Sequence, residues 1–345
     1  MTARAHQRFP WARFSDDALL DLSISDLGVT IEGTWLEQCV HRLYDELEER
    51  GLRLRPHVWL SDEWFSPDGV PGIAMPFYLA HPRLMKLERS QLLEVEGGTR
   101  RECMQILRHE AGHSFQHAYR LHRKRRWQQL FGKSSKQYPE YYRPNPTSKR
   151  YVQHLRLWYA QAHPDEDFAE TFAVWLRPRS DWKRRYAGWP ALRKLEYVDE
   201  LMAEVADQPP VVQSRARVDP AHRIRRTLRE HYDERRERYS VERPKIWDRD
   251  LRRLFSDDAS HAGHEAASTF LRRHRGQIRR RVARWTGEYQ FTLEMVLEDM
   301  IERCRELGLR AVGADRELEI DFAVLLTVKT MHFLYSEGHK EWIPL

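Results

Sequence analysis

The residues with the clearest chemical potential are His109-Glu110-Ala111-Gly112-His113, an HExxH pattern. On a helix, positions i and i+4 share one face, so two imidazoles can grip one ion. Zinc suits such nitrogen donors, at about 2.0–2.1 Å. Glu110 would then stand beside the water that such an ion activates, placed to take its proton as general base. The pattern leaves the third ligand open. His117 continues the i+4 series, but eight residues rise about 12 Å along a helix, too far for three imidazoles to share an ion. It is read as a structural histidine or as a group behind the ligands. Some zinc proteins carry a third histidine ten residues after the first. Here that position holds Tyr119. The ligand must come from elsewhere.

The best source is His163-Pro164-Asp165-Glu166-Asp167-Phe168-Ala169-Glu170-Thr171-Phe172-Ala173. Glu166 and Glu170 are four apart and project to one side of a helix. One carboxylate can complete a tetrahedron with water in the fourth position. The other, a turn on, can accept a hydrogen bond from the second nitrogen of a ligand histidine. Phe168, Phe172 and Trp175 would anchor the opposite face. An acidic first turn is also what the helix dipole favours by itself, and only the upstream HExxH tips the balance toward a metal. Tyr159 precedes Glu166 by seven residues. Its phenol could donate to a developing oxyanion, or it could be an ordinary packed tyrosine; spacing alone does not separate the two.

These residues need elements to hold them. Trp35 to Arg50 reads as an amphipathic helix with Leu36, Cys39, Val40, Leu43, Tyr44 and Leu47 on one stripe and Gly51 as its stop. Leu52 to Leu60 alternates like a strand. Gly72 to Leu84 reads as extended, with Pro76 and Pro82 making it an edge strand or strand plus loop. Thr99 to Arg123 predicts a long helix, 124–150 an irregular basic and aromatic insertion, and 151–159, 166–176 and 191–205 further helices. Pro209-Pro210 is the strongest linker signal. Beyond it, helices are expected over 220–239, 247–255, 262–285, 288–308 and 318–335.

At about 150 residues per domain, 345 residues suggest two. A hydrophobic content of 41% with 12 tryptophans supports a real core and excludes wholesale disorder. No apolar run approaches the roughly 20 residues of a membrane span. Met1 to Phe9 lacks an apolar stretch, so no secretory leader is expected. Cys39, Cys103 and Cys304 are too few and too scattered for a disulfide framework or a CxxC zinc site, which suits a cytoplasmic location. The net charge of +6 is uneven: 215–285 carries 21 Lys+Arg against 11 Asp+Glu, and 286–345 carries 6 against 12. Such polarity can mark a nucleic-acid face. The preferred reading is a solvated, salt-bridged helical face, with a basic helix packed near an acidic one. A second basic cluster (Arg120, Arg123, Lys124, Arg125, Arg126, Lys133 and Lys136) lies between the two ligand-bearing segments. Overhanging a cleft, it would favour acidic substrates.

The HExxH helix followed by Tyr159-Ala160-Gln161-Ala162-His163-Pro164-Asp165-Glu166-Asp167-Phe168-Ala169-Glu170-Thr171-Phe172-Ala173 resembles the bacterial putative zinc-binding metallopeptidase family, itself similar to gluzincins. Leu130-Phe131-Gly132 resembles that family's intervening segment. The likeness covers roughly residues 30–205; the cysteines are too few for the amino-terminal zinc ribbon that some relatives carry, and the helical region after 210 is not part of the likeness. The resemblance implies His109 and His113 as zinc ligands, Glu110 as base, Glu166 as third ligand, Glu170 as the group behind a ligand histidine, and Tyr159 as oxyanion donor. Asp167 or Glu170 is the alternative ligand, since three carboxylates crowd one turn.

The expected fold is therefore α+β. Residues 1–30 form a lead-in. Residues 31–208 form a zincin-like catalytic domain, with a small mixed sheet and the HExxH helix. Residues 211–345 form an all-helical subdomain, basic and then acidic. The expected function is a zinc-dependent metallopeptidase with one zinc per chain acting on a peptide or protein. Gly72 to Leu84 would offer an edge for an extended substrate. The alternatives are a protease tethered to nucleic acid through 215–285, and a non-catalytic zincin-fold binding module. An intact Glu110 argues against the last.

Overall fold

The computed structural model describes residues 9–139, 141–142, 144–238, 247–335 and 343–344. Residues 1–8 of the expected lead-in, and 239–246, 336–342 and 345 of the expected C-terminal subdomain, lie outside these. The architecture is α+β: mostly helical, with a small sheet.

Helix α1 (Trp35–Glu49) starts where the Thr34 hydroxyl accepts the Leu36 amide. Of the expected stripe it buries Leu36, Cys39, Val40, Leu43 and Leu47, while Tyr44 is half-buried. Gly51 ends it at φ 73°, a left-handed conformation that glycine adopts freely. Strand β1 (His57–Ser61) pairs in parallel with β2 (Gly72–Pro76), His57 opposite Gly72 and Ser61 opposite Pro76. On the far side of β2, the Ala74 amide donates to the Phe65 carbonyl at 2.8 Å in an antiparallel bridge.

That bridge corrects the expected substrate edge. The Gly72 carbonyl accepts the Ser66 and Ser114 hydroxyls at 2.9 and 3.3 Å, and Pro76 has no N–H to give. Every residue of β2 is buried, so its outer edge is already occupied. The extended reading to Leu84 also ends early. After a 3-10 turn at Phe77–Ala80, Pro82 opens helix α2 (Pro82–Leu92), using a fixed φ suited to a first helical turn.

Helix α3 (Arg100–Tyr119) carries the HExxH residues. The Thr99 hydroxyl accepts the Glu102 amide, and the Thr-x-x-Glu spacing is that of a capping box. Helix α4 (Pro164–Leu176) starts at His163, whose Nδ1 accepts the Asp165 amide. All thirteen of its residues are buried, many of them against α3. The two backbones approach closely at Gly112, where an added Cβ would lie 2.8 Å from the Ala169 Cα. Helix α5 (Ala191–Val205) packs on α4. In the insertion, a short helix spans Arg125–Leu130, and Lys124 and Arg126 form ion pairs with Glu204 and Glu200 of α5.

The chain forms two compact units, one of Met1–Gln91, Val95–His231 and Pro344–Leu345, the other of Leu92–Glu94 with Tyr232–Ile343. Residues 211–231 therefore stay with the first unit. The His57, Trp59 and Ser61 side chains bond to the carbonyls of Ala216, Val218 and Asp219, and the Ile24 and Ser25 amides donate to the Arg226 and Ile224 carbonyls. The helix expected from 220 begins later, as α6 (Leu228–Arg238).

The second unit contains α7 (Asp248–Leu254), α8 (Ala267–Thr286), α9 (Gln290–Glu306) and α10 (Asp315–Tyr335). Phe255, Phe270, Leu271, Ile278, Leu297, Met300, Phe322 and Leu326 form its core. The basic helix α8 meets acidic partners. Arg275 and Arg279 both pair with Glu294, Arg281 pairs with Glu319 at 3.0 Å, and Arg273 pairs with Glu265 and Asp315 at 2.6 and 3.1 Å. No helix among the described residues is long and apolar enough to cross a membrane.

Candidate metal centre

Helical periodicity sets His109 and His113 one above the other on the face of α3 that meets α4. From α4, Glu166 reaches between them. Its Oε2 lies 3.0 Å from His109 Nε2 and 3.2 Å from His113 Nε2, and the two Nε2 atoms are 3.1 Å apart. All three residues are buried.

The donor set can be tested against a metal. Glu170 Oε1 lies 2.9 Å from His109 Nδ1. That bond places the ring proton on Nδ1 and leaves the Nε2 lone pair facing the cluster. A nitrogen lone pair, a second imidazole and a carboxylate oxygen then converge in a dry space. A positive charge, either a metal ion or protons on the imidazoles, reconciles them. Four ligands at zinc's 2.0–2.1 Å in a tetrahedron stand about 3.4 Å apart. The observed separations are close to this, so His109, His113 and Glu166 could hold a zinc ion. The electrostatics agree. Burial works against the charged forms of His109 and Glu166, yet hydrogen bonds that His109 donates to the Glu166 and Glu170 carboxylates raise it well above the usual histidine range. The two imidazoles likewise hold Glu166 well below the usual carboxylate range.

Glu110 is buried beside this cluster, and its Oε2 has no hydrogen-bond partner among the described residues. Burial pushes its carboxyl up, only partly offset by His109 and His113. A buried polar atom left unpaired costs stability and calls for a reason.

Tyr159 comes from a 3-10 segment, Arg156–Gln161, in which Leu157 and Trp158 both adopt left-handed conformations at φ 59° and 53°. Non-glycine residues occupy that region only at some cost, here at two successive positions. The segment is tied at both sides. Glu170 Oε2 accepts the Leu155 amide at 2.9 Å, and the Tyr142 hydroxyl donates to the Leu157 carbonyl at 2.8 Å. Tyr159 is thereby brought to a ring-centroid distance of 5.6 Å from His109. Burial, with Glu166 and Glu110 nearby, pushes its phenol up and keeps it a donor.

Asp167, the alternative ligand, lies elsewhere. Its carboxylate is 2.5 Å from Lys194 Nζ on α5. Burial pushes it up to about 7 against the pull of that lysine. His117 is also apart from the cluster, with its Nδ1 accepting the Gly69 amide at 3.3 Å. Tyr138 was not visible as a site residue in the sequence. Its hydroxyl donates to Glu166 Oε1 at 2.9 Å from a loop 28 residues away, where no periodicity marks it.

No curated protein and no solved structure matches the chain. Residues 85–185, which include α3 and α4 and so the segment carrying the centre, match the family model described as putative zinc-binding metallo-peptidase.

Proposed function

We propose that this protein is a zinc-dependent peptidase with a zincin-like catalytic lobe, holding one zinc through His109, His113 and Glu166. The observation that carries the reading is the buried trio of donor atoms within 3.2 Å of one another, with an unpaired Glu110 oxygen beside it. A bound zinc supplies activation of water near neutral pH and polarisation of the scissile carbonyl. The chain's own residues do the rest. Glu110, raised by burial, accepts the proton of the attacking water and passes it to the leaving amine. Tyr159, held as a protonated donor, hydrogen-bonds the developing oxyanion. Glu170 fixes the His109 tautomer and, through the Leu155 amide, anchors the turn that presents Tyr159. The family description supports a peptide or protein substrate.

Two observations weigh against the alternatives. Four of the seven arginines of α8, Arg273, Arg275, Arg279 and Arg281, are engaged by Glu265, Asp315, Glu294 and Glu319, which leaves fewer for a nucleic acid. A binding module has no use for a desolvated Glu110 carboxylate with one oxygen left unpaired. The test is cleavage of a mixed peptide library by the zinc-loaded chain beside Glu110→Gln. The reading expects fragments from wild type and a loss of at least about 10²-fold in the variant, with zinc retained. Equal cleavage by both would contradict the role of Glu110. No cleavage by zinc-loaded wild type across the library would favour the binding module.

A further inference from the structure

We propose that Tyr138 is a positioning residue for the metal centre, its phenol holding the Glu166 carboxylate so that a single oxygen turns toward the two imidazoles. This rests on the zinc reading above. Glu166 has two oxygens with different tasks. Oε2 lies 3.0 and 3.2 Å from the imidazole nitrogens, while Oε1 accepts the Tyr138 hydroxyl at 2.9 Å. The last torsion of a glutamate side chain is broad. Without a hold on Oε1 the carboxylate can rotate, offering either oxygen or both, and an ion pays for fixing it each time it binds. The phenol removes that freedom beforehand.

The tyrosine is itself fixed. Its ring lies flat on His163, with centroids 3.8 Å apart and planes at 19°. His163 Nδ1 accepts the Asp165 amide at 3.2 Å, which leaves the ring proton on Nε2 to bond the Lys136 carbonyl at 3.0 Å. One histidine thus caps the helix that carries Glu166, fastens the loop that carries Tyr138, and serves as the surface on which Tyr138 lies. Two further contacts hold the loop. The Ser134 hydroxyl donates to Asp165 Oδ2 at 2.9 Å, and Gly132, at φ 112°, lets the chain pass over Pro164, where an added Cβ would stand 3.2 Å from the proline Cγ. Tyr138 is 45% exposed, so burial of its ring does not account for this fastening.

The test is zinc affinity of the full chain, measured by competition with a chromogenic chelator, for wild type, Tyr138→Phe and Tyr138→Ala. The phenylalanine keeps the stacking on His163 and loses only the hydroxyl. It should bind zinc about tenfold more weakly, the scale on which groups behind metal ligands act, with the metal-free melting temperature unchanged. The alanine should lose at least as much. Equal zinc affinity in wild type and Tyr138→Phe would overturn the proposal and leave the zinc reading standing. A wild type that binds no zinc would remove both. Unchanged zinc affinity with a raised KM on a cleaved peptide would make Tyr138 a substrate contact instead.

Discussion

At the scale of single residues, the location of one proton organises the centre. Glu170 takes the His109 Nδ1 proton as its partner, so the Nε2 lone pair is left facing His113 and Glu166. Glu170→Ala should therefore weaken zinc binding by about 10–100-fold without removing a ligand. It also frees the Leu155 amide, so turnover should fall further than the lost zinc accounts for when zinc is saturating. Equal turnover at saturating zinc would show that the Tyr159 turn does not depend on Glu170. Most of this centre was legible in the sequence because the i, i+4 spacing of His109 with His113, and of Glu166 with Glu170, is a geometric statement about one helix face. The same geometry separates Asp167, since one residue turns a helix by about 100° and carries it away from Glu166 toward Lys194. Tyr138 was not legible, because its reach to Glu166 depends on a loop path that no local pattern encodes.

Elements hold these residues by close approach. Gly112 sits inside the HExxH pattern at a position that is chemically silent, yet its lack of a side chain lets α3 and α4 approach this closely there. Gly112→Ala should cost about 1–3 kcal/mol in a urea unfolding series, since the obstructing atom is the Ala169 backbone rather than a flexible side chain. Unchanged stability would mean that the helices have room to part. His117 acts at the same scale, bonding the Gly69 turn to α3. Burial pushes it down to about 4, below the ordinary 6.5. The folded state therefore prefers it neutral. That contribution is full above the unfolded value near 6.5 and is lost as pH falls from there toward 4, with up to about 3 kcal/mol involved. His117→Gln, which retains an acceptor, should flatten stability over this window, and an unaltered pH profile would assign the acid sensitivity to other groups. The helices were legible from apolar spacing and their stops. The sheet was less so. Two strands of five residues leave a short record, and the contacts that close the edge of β2 come from Phe65, Ser66 and Ser114, whose roles depend on how the chain folds back.

For the whole molecule, the charge map and the metal carry the account. Part of the uneven charge of 215–345 appears as ion pairs within the helical unit, between Arg273, Arg275, Arg279 and Arg281 of α8 and the acids of α9, α10 and Glu265. Binding to duplex DNA should accordingly show no steep salt dependence, and a log–log slope equivalent to six or more phosphate contacts, which for B-DNA is about −5 or steeper, would restore a nucleic-acid role. The division of the chain after His231 rather than after Pro210 could not be read from composition. Proline marks a bend, while the carbonyls of 216–219 bonding to β1 side chains decide which unit that bend serves. The most direct measurement of the central claim is the zinc content of purified wild type, Glu166→Ala and Asp167→Ala after equilibration with zinc and removal of excess. The account predicts one zinc per wild-type chain, retained in Asp167→Ala and largely lost in Glu166→Ala. A folded wild type without stoichiometric zinc, or zinc retained by Glu166→Ala and lost from Asp167→Ala, would contradict it.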